Sequence, residues 1–372
     1  MKLIIERAAL LKSLGHVQSV VERRNTIPIL SNVRLDAAKK KLSLIATDMD
    51  IEIVESTSAE VGKAGCTTVP AHTLYDIVRK LPDGAQVEIV SSSDGSQIVL
   101  TAGRSRFNFS CLPVEDFPAM TDGDMSHSFK LPAADLKSLI DRTRFAISTE
   151  ETRYYLNGIY LHAAKSEGIS VLRAVATDGH RLARVELPLP KGATGMPGVI
   201  IPRKAVAEVR KLIEETTSDV EVGMSDSKIK FRFGNVALTS KLIDGTFPDY
   251  ERVIPTGNDK VLEAECKLMF NAVDRVSAIS SEKSRSIKMG CDKGLVTLSA
   301  SSPEAGSAVE EVEATYDAGT LEIGFNSRYL LEILGQIEGD AVRFTMADAA
   351  SPTIMRDVAD ASAVYVLMPM RV

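Results

Sequence analysis

Three stretches of this sequence follow one plan, and that recurrence constrains the fold more than any single motif. Val69-Pro70 opens an amphipathic stretch ending at Leu81-Pro82, Ile201-Pro202 opens a second ending near Thr216, and Phe325-Asn326 opens a third ending near Gly339. They begin 132 and 124 residues apart. Each is followed by a β-patterned segment, at 86–109, 219–241 and 340–366. Each unit opens on a strand-like run: Met1-Lys2-Leu3-Ile4, His127-Ser128-Phe129-Lys130 and Lys260-Val261-Leu262-Glu263. A period of ~20–50 residues would indicate a solenoid or propeller. This longer period makes each copy a domain able to bury its own core. The expected domains are 1–124, 125–257 and 258–372, with joints in the turn-forming stretches 121–127 and 255–260.

Within the first copy, Leu10, Leu11, Leu14, Val17 and Val21 recur at helical spacing and predict a helix over 8–22. Leu42 and Leu44, then Ile51 and Ile53, alternate with polar residues as half-buried strands do. A second helix over 71–81 carries Leu74, Ile77, Val78 and Leu81 and stops at Pro82-Asp83-Gly84. The second copy repeats the pattern with Leu136, Leu139 and Ile140, then Val206, Val209, Leu212 and Ile213. The third uses Phe270, Val273 and Val276, then Leu330, Ile333, Leu334 and Ile337. Two helices packed on antiparallel sheet, three times over, is an α+β architecture with its helices expected on one side.

With 44% hydrophobic and 25% charged residues, the composition is that of an ordinary globular protein. No apolar run approaches the ~18 residues of a membrane span, and the first residues lack a signal peptide's apolar core, so no membrane partner and a cytoplasmic location are expected. Cys66, Cys111, Cys266 and Cys291 are widely spaced, which predicts buried free thiols and neither a zinc site nor a disulfide framework. No cofactor is called for.

A net charge of −6 argues at first against a nucleic-acid partner, but its distribution argues for one. The helical windows 7–24, 71–80, 133–146, 202–213, 267–288 and 326–337 hold 19 Lys and Arg against 8 Asp and Glu; elsewhere the numbers are 25 and 42. A surface shared by the six helices would attract a polyanion. No helix-turn-helix, zinc finger or aromatic stacking platform is present, so contacts to a nucleic acid would be phosphate-directed and sequence-independent.

Several motifs carry a family resemblance. Arg153-Tyr154-Tyr155-Leu156-Asn157-Gly158, Ala176-Thr177-Asp178-Gly179-His180-Arg181-Leu182-Ala183, Phe247-Pro248-Asp249-Tyr250, Met368-Pro369-Met370-Arg371 and Pro28-Ile29-Leu30-Ser31-Asn32 resemble the bacterial DNA polymerase III beta subunit, the sliding clamp, along the whole chain. The resemblance implies the DNA clamp fold: a head-to-tail homodimer closed into a six-domain ring around duplex DNA, helices inward. It implies no catalysis. The ring would tether the polymerase III alpha subunit, the clamp-loader delta subunit, and other polymerases and repair proteins carrying a clamp-binding peptide.

Carried over by motif, the peptide pocket comprises Leu156, Thr177, Gly179, His180, Arg181, Leu182, Pro248, Arg252, Val253, Val366, Leu367, Met368, Pro369, Met370 and Arg371. Adaptable Met and Leu walls suit several partners. By their own pattern, Thr177-Asp178-Gly179-His180 reads as a strand end and turn, and Met368-Pro369-Met370 as a last core strand. The resemblance also implies DNA contacts by Arg24, Arg203, Lys204, Asn326 and Tyr329; charge alone adds Arg79, Lys80, Arg210 and Lys211. Glu150 and Ser284 depart from the family's pattern and are not assigned. The dimer seam would join Arg104, Arg106, Phe107 and Phe109 to Ile279, Glu304 and Glu310, a basic edge against an acidic one.

Two other function classes compete: an enzyme using His180 and Asp178, and a repeat scaffold that binds only proteins. No nucleophile motif such as G-x-S-x-G supports the first.

Overall fold

The computed structural model describes residues 1–120, 123–280 and 285–371. The first copy runs β1 (Lys2–Glu6), α1 (Arg7–Val17), β2 (Asn32–Ala38), β3 (Lys41–Thr47), β4 (Ile51–Ser58), a short β5 (Glu60–Lys63), β6 (Gly65–Pro70), α2 (Ala71–Lys80), β7 (Gln86–Ser91), β8 (Gln97–Ala102) and β9 (Ser105–Ser110). The second runs β10 (His127–Leu131), α3 (Ala133–Asp141), β11 (Gly158–Ser166), β12 (Ile169–Thr177), β13 (Arg181–Pro188), β14 (Val199–Pro202), α4 (Arg203–Ile213), β15 (Val220–Met224), β16 (Lys228–Phe233) and β17 (Val236–Lys241). The third runs β18 (Lys260–Glu265), α5 (Cys266–Ser277), β19 (Ser286–Asp292), β20 (Leu295–Ser302), β21 (Gly306–Thr315), β22 (Leu321–Asn326), α6 (Ser327–Leu334), β23 (Ala341–Met346), β24 (Thr353–Asp357) and β25 (Ala363–Leu367). Apart from β5, the element order is the same in all three.

These residues gather into two compact units: 1–136 with 190–193 and 204–242, and 137–189 with 194–203 and 243–372. The first unit holds a sheet ordered β5-β1-β7-β8-β9 and another ordered β10-β15-β16-β17-β4-β3-β2-β6. The second holds one sheet ordered β14-β11-β12-β13-β25-β24-β23-β18-β21-β20-β19-β22. One pairing rule joins successive copies. In the first unit β17, the last strand of the second copy, pairs antiparallel with β4, placing Leu238 opposite Ile53. In the second unit β25, the last strand of the third copy, pairs with β13 in the same way, placing Val366 opposite Leu182. Among the described residues, the equivalent strands β9 and β21 lack such a partner. β9 pairs with β8 alone, and β21 pairs along its length with β20 and with β18 only at Ala314 and Thr315.

Several sequence expectations are corrected. The first helix ends at Val17 and a 3-10 turn over Gln18–Val20 follows, because the chain becomes extended at Val21 while both Val20 and Val21 stay buried. In α5 the core stripe is Cys266, Met269, Ala272, Val273 and Val276, with Phe270 only half-buried; in the third copy's second helix Ile337 falls beyond the last turn. Strand alternation fails at Glu52, which is buried although it lies on the opposite face of β4 from Ile51 and Ile53; Glu55 shares their face and is buried beneath α1. Of the cysteines, Cys266 and Cys291 are buried, Cys111 is half-buried and Cys66 is exposed. The joint at 121–127 includes two residues outside the described ones.

Glu55 is buried in the first unit, and polar partners surround it. Ser13 donates to its Oε1 (2.9 Å), and His16 Nδ1 meets its Oε2 at 2.6 Å. The other His16 nitrogen meets Glu215 at 3.1 Å, so one imidazole ties α1 both to β4 and to the residues that follow α4. Burial by itself would lower the His16 pKa; the hydrogen bonds and charges of Glu55 and Glu215 outweigh it and raise it. A raised folded-state pKa stabilises fully below the unfolded value of about 6.5 and loses that contribution as pH climbs through the folded value. Replacing His16 by Ala should therefore cost about 3 kcal/mol at pH 6, since it strands a buried carboxylate, and less at pH 9. Urea unfolding of both proteins at the two pH values measures this, and an equal loss at each would exclude the charged clasp.

Candidate functional site

The second unit carries an apolar cluster built from residues far apart in sequence. Val175 on β12, Leu182 on β13 and Val366 on β25 come from three adjacent strands; Leu156, Ile200, Phe247 and Tyr250 complete the buried set. Tyr155, Tyr160, Ile243 and Ile254 pack against it half-buried. Tyr160 stacks on Phe247 with ring centroids 4.8 Å apart. Gly158 must lack a side chain here, because a Cβ would stand 2.2 Å from the Ile201 carbonyl oxygen across the β11–β14 pair.

Behind the cluster, Arg173 donates to Tyr250 Oη (2.9 Å), to Glu186 (2.6 Å) and to Glu251 (2.5 Å), while Tyr250 Oη also meets His162 Nε2 at 3.0 Å. Burial pushes the Tyr250 phenol up and pulls the His162 imidazole down, so both are neutral near pH 7. A buried network in which each member has a partner fixes the 3-10 turn Tyr250–Val253 on the sheet.

The rim is the hairpin turn between β12 and β13. Asp178 Oδ1 accepts from the backbone nitrogens of His180 (2.9 Å) and Arg181 (3.0 Å), and Gly179 takes φ +87°, which a side chain would disfavour. Met368 N donates to the His180 carbonyl (2.9 Å) and Met370 N to that of Gly324 (2.8 Å), so the C-terminal residues run from this turn to the end of β22. Around the cluster, Gly179, His180, Pro248, Arg252 and Arg371 are exposed, Val253 is 46% exposed, and Thr177, Met368, Pro369 and Met370 are half-buried. Leu367 is fully buried on the opposite face of β25 from Val366 and does not reach the surface.

Arg181 behaves differently from the pocket-lining role expected of it. Its side chain is 7% exposed; Nε meets Asp178 (3.1 Å), Nη2 donates to the Phe145 carbonyl (2.5 Å), and Nη1 pairs with Glu332 of α6. The guanidinium lies 4.2 Å over the Tyr329 ring. It is an internal strut that holds α6 against the turn. Tyr329 and Asn326, expected to contact DNA, stand beside this turn: the Tyr329 ring stacks with His180 at 6.2 Å, and Asn326 Oδ1 caps α6 by accepting from the nitrogens of Arg328 and Tyr329. Sequence reasoning missed Val175, Ile200, Phe247, Tyr250 and Glu332 as parts of this site. Phe247 and Tyr250 lay inside a quoted motif, whereas Val175 and Ile200 are joined to it only by sheet register and Glu332 only by its ion pair with Arg181.

The His180–Asp178 pair of the competing enzyme reading does not form among the described residues. Asp178 is committed to the turn and to Arg181, and no hydrogen bond joins it to the His180 ring among the described residues. Nor is any group of three or more His, Cys, Asp or Glu among them arranged to hold a metal. No helix among them is long and apolar enough to cross a membrane.

The helix cations divide into two groups. Arg24 and Arg203 are exposed and have no ion-pair partner among the described residues. Lys204, expected to act with them, is bound by Asp48 and lies 3.6 Å from Glu22; burial opposes its charge, and these carboxylates outweigh it and raise its pKa. Lys211 is likewise held by Glu208 (2.7 Å), Arg210 by Glu214 (2.5 Å), and Arg79 lies 3.5 Å from Asp76, while Lys80 is exposed. Glu150 faces Arg153 at 3.3 Å; Ser284 lies outside the described residues.

On the open strands, Phe109 is buried, Phe107 half-buried, and Arg106 exposed on the opposite face of β9. Arg104 sits in the preceding turn and does not share the alternation expected of it. Ile279 is half-buried after α5, and Glu304 lies in the turn before β21. Glu310 is already gripped by Arg275 of its own chain, at 2.5 and 3.1 Å.

Three family models of the DNA polymerase III beta subunit match consecutively: the N-terminal domain over residues 1–121, the central domain over 130–249 and the C-terminal domain over 251–371. The chain belongs to this family. It is 57% identical over 372 residues, the full length of both chains, to the beta sliding clamp of Caulobacter vibrioides strain NA1000. A crystal structure of the Caulobacter crescentus clamp matches with TM-score 0.98 at 57% identity, covering 100% of this chain and 99% of that one. A Bartonella birtlesii sliding clamp bound to griselimycin matches with TM-score 0.97 at 51% identity over all of both chains. The chain is thus a processivity factor of DNA polymerase III, with the three repeated α+β domains of its family.

Removing the Arg181 strut by Arg181→Ala leaves Glu332 and Asp178 without their buried cation and should destabilise the protein by about 3–5 kcal/mol. Arg181→Lys should restore little of this, because a lysine cannot reproduce the planar fork. Denaturant unfolding midpoints of the three proteins check both statements.

Proposed function

We propose that two of these chains close head to tail into a ring that encircles duplex DNA without reading its sequence, and that the apolar cluster with its C-terminal rim receives a short peptide from each protein the ring tethers. The observation that carries this reading is the pairing rule. The last strand of one copy pairs with the third sheet strand of the copy before it in both places where the chain allows, which leaves β9 and β21 as complementary open ends. A second chain supplies each end with the partner it lacks. Phe107, Ile279 and the 68% exposed Val309 provide apolar burial at the seam. Arg104 and Arg106 face the carboxylates Glu304, Glu311 and Glu313, since Glu310 is engaged by Arg275.

The domains so joined are 1–124, 125–257 and 258–372. Such a ring holds DNA topologically, so phosphate contacts need only be weak. Arg24 and Arg203 suit that role, and the internal neutralisation of Lys204 limits its share. The ring has no catalytic step: tethering raises the effective concentration of a polymerase at the primer end. The pocket residues are Leu156, Thr177, Gly179, His180, Leu182, Pro248, Arg252, Val253, Val366, Met368, Pro369, Met370 and Arg371, joined by Tyr329 and Asn326 and supported from beneath by Arg181. The polymerase alpha subunit, the loader delta subunit and repair proteins carrying such a peptide compete for it, in the cytoplasm.

A clamp loaded by its loader onto nicked circular DNA should persist through gel filtration and should be lost once the circle is linearised. Equal retention on both would rule out encirclement. Truncation after Pro369 should weaken binding of a clamp-binding peptide at least tenfold, while sedimentation still reports the dimer; unchanged affinity in an anisotropy titration would remove the tail from the pocket.

A further inference from the structure

The sheet face that floors the pocket continues past it. Leu182 and Val366 are opposite one another on β13 and β25, and Val366 is opposite Ile354 on β24. Two residues along, on the same face, the register runs Arg184, Val364, Arg356, Arg343, Glu263 from β13 across to β18. A groove of about 370 Å³ opens there, lined by Pro255, Thr256, Val261, Thr345, Ile354 and Arg356 among others. Its wall is the segment that leaves the pocket: Ile254 packs on the apolar cluster, and the next two residues line the groove.

The charges along this row are not evenly matched. Arg343 holds Glu263 at 2.7 and 2.6 Å, and Arg184 lies 3.3 Å from Glu186, which Arg173 also binds. Arg356 has no ion pair and no hydrogen bond among the described residues, and its Nε is buried without an acceptor. Arg356 is half-buried and lines the groove, so a guanidinium without a carboxylate of its own meets the groove beside the apolar cluster and can receive one.

We infer that this groove is the continuation of the pocket for the partner peptide, and that Arg356 binds an acidic side chain flanking the peptide's apolar anchor. This rests on the pocket reading above. The spacing limits where the acid can be. Arg356 is one strand over and two residues along from Val366, about 8 Å, which an extended peptide spans in two to three residues. Recognition therefore combines apolar anchoring with a single charge contact, and the charge favours partners with acidic flanks over those with basic ones.

The test uses the full-length protein and fluorescence anisotropy with peptides that share one apolar anchor and carry, two to three residues to either side of it, Asp-Glu or Ser-Gln. Wild type should bind an acidic-flanked peptide about fivefold tighter than the neutral one, with the advantage shrinking as salt rises. Arg356→Gln should abolish the preference while leaving affinity for the neutral peptide unchanged, and Arg356→Lys should restore part of it. Equal wild-type affinity for all flanks overturns this inference alone, as does an Arg356→Gln variant that weakens the neutral peptide equally. Binding of no peptide overturns the pocket and the groove together. Should Arg356→Gln fail to fold, as seen by circular dichroism, the wild-type preference and its salt dependence still decide the matter.

Discussion

An open strand edge presents unpaired N–H and C=O groups, and most of the architecture of this chain answers to that constraint. Each copy brings a strand from its end to a strand in the middle of its neighbour, so β17 closes β4 and β25 closes β13. Glu55, on the face of β4 that α1 covers, is buried, and its burial calls for the polar partners that α1 supplies in Ser13 and His16. Because the rule runs in one direction along the chain, it leaves one strand of each kind over, at β9 and at β21. Those two strands are the ends that the ring proposed above would join.

The charges follow a second logic. A surface that must slide along DNA is served by a modest positive field, and the molecule tempers its own cations. Lys204, Lys211 and Arg210 are held by carboxylates of the same unit, while Arg24 and Arg203 are left free. Beside the apolar cluster, Arg181 is drawn inside to join a turn of the second copy to a helix of the third. Beneath the cluster, the Arg173 network keeps a polar layer satisfied where apolar residues alone would have left the 3-10 turn free to shift. Both arginines act through the residues they position.

Much of the fold is legible in the sequence because its evidence is local. Helical spacing in 71–81 and 202–213 and two-residue alternation in 41–47 report the burial of individual faces, and the repeated order of elements discloses three domains. The sites were less legible. The stretch 176–183 reads correctly as a strand end and a turn, yet that description does not reveal that Arg181 points inward or that Tyr329, 148 positions later, lies under its guanidinium. Counting charges in helix windows marked Arg210 and Lys211 as cations open to phosphate because a count cannot see that Glu214 and Glu208 hold them.

The sequence by itself determined the number of copies, the type and order of their elements, and the family, since each is written in short-range periodicity or in contiguous motifs. Tertiary structure decided which strands meet across copies, which charges face solvent and which neutralise one another, and which side chains gather into the pocket. Those outcomes depend on register between residues more than a hundred positions apart. Shifting a strand by one residue exchanges its two faces, and no local pattern records which shift the folded sheet adopts.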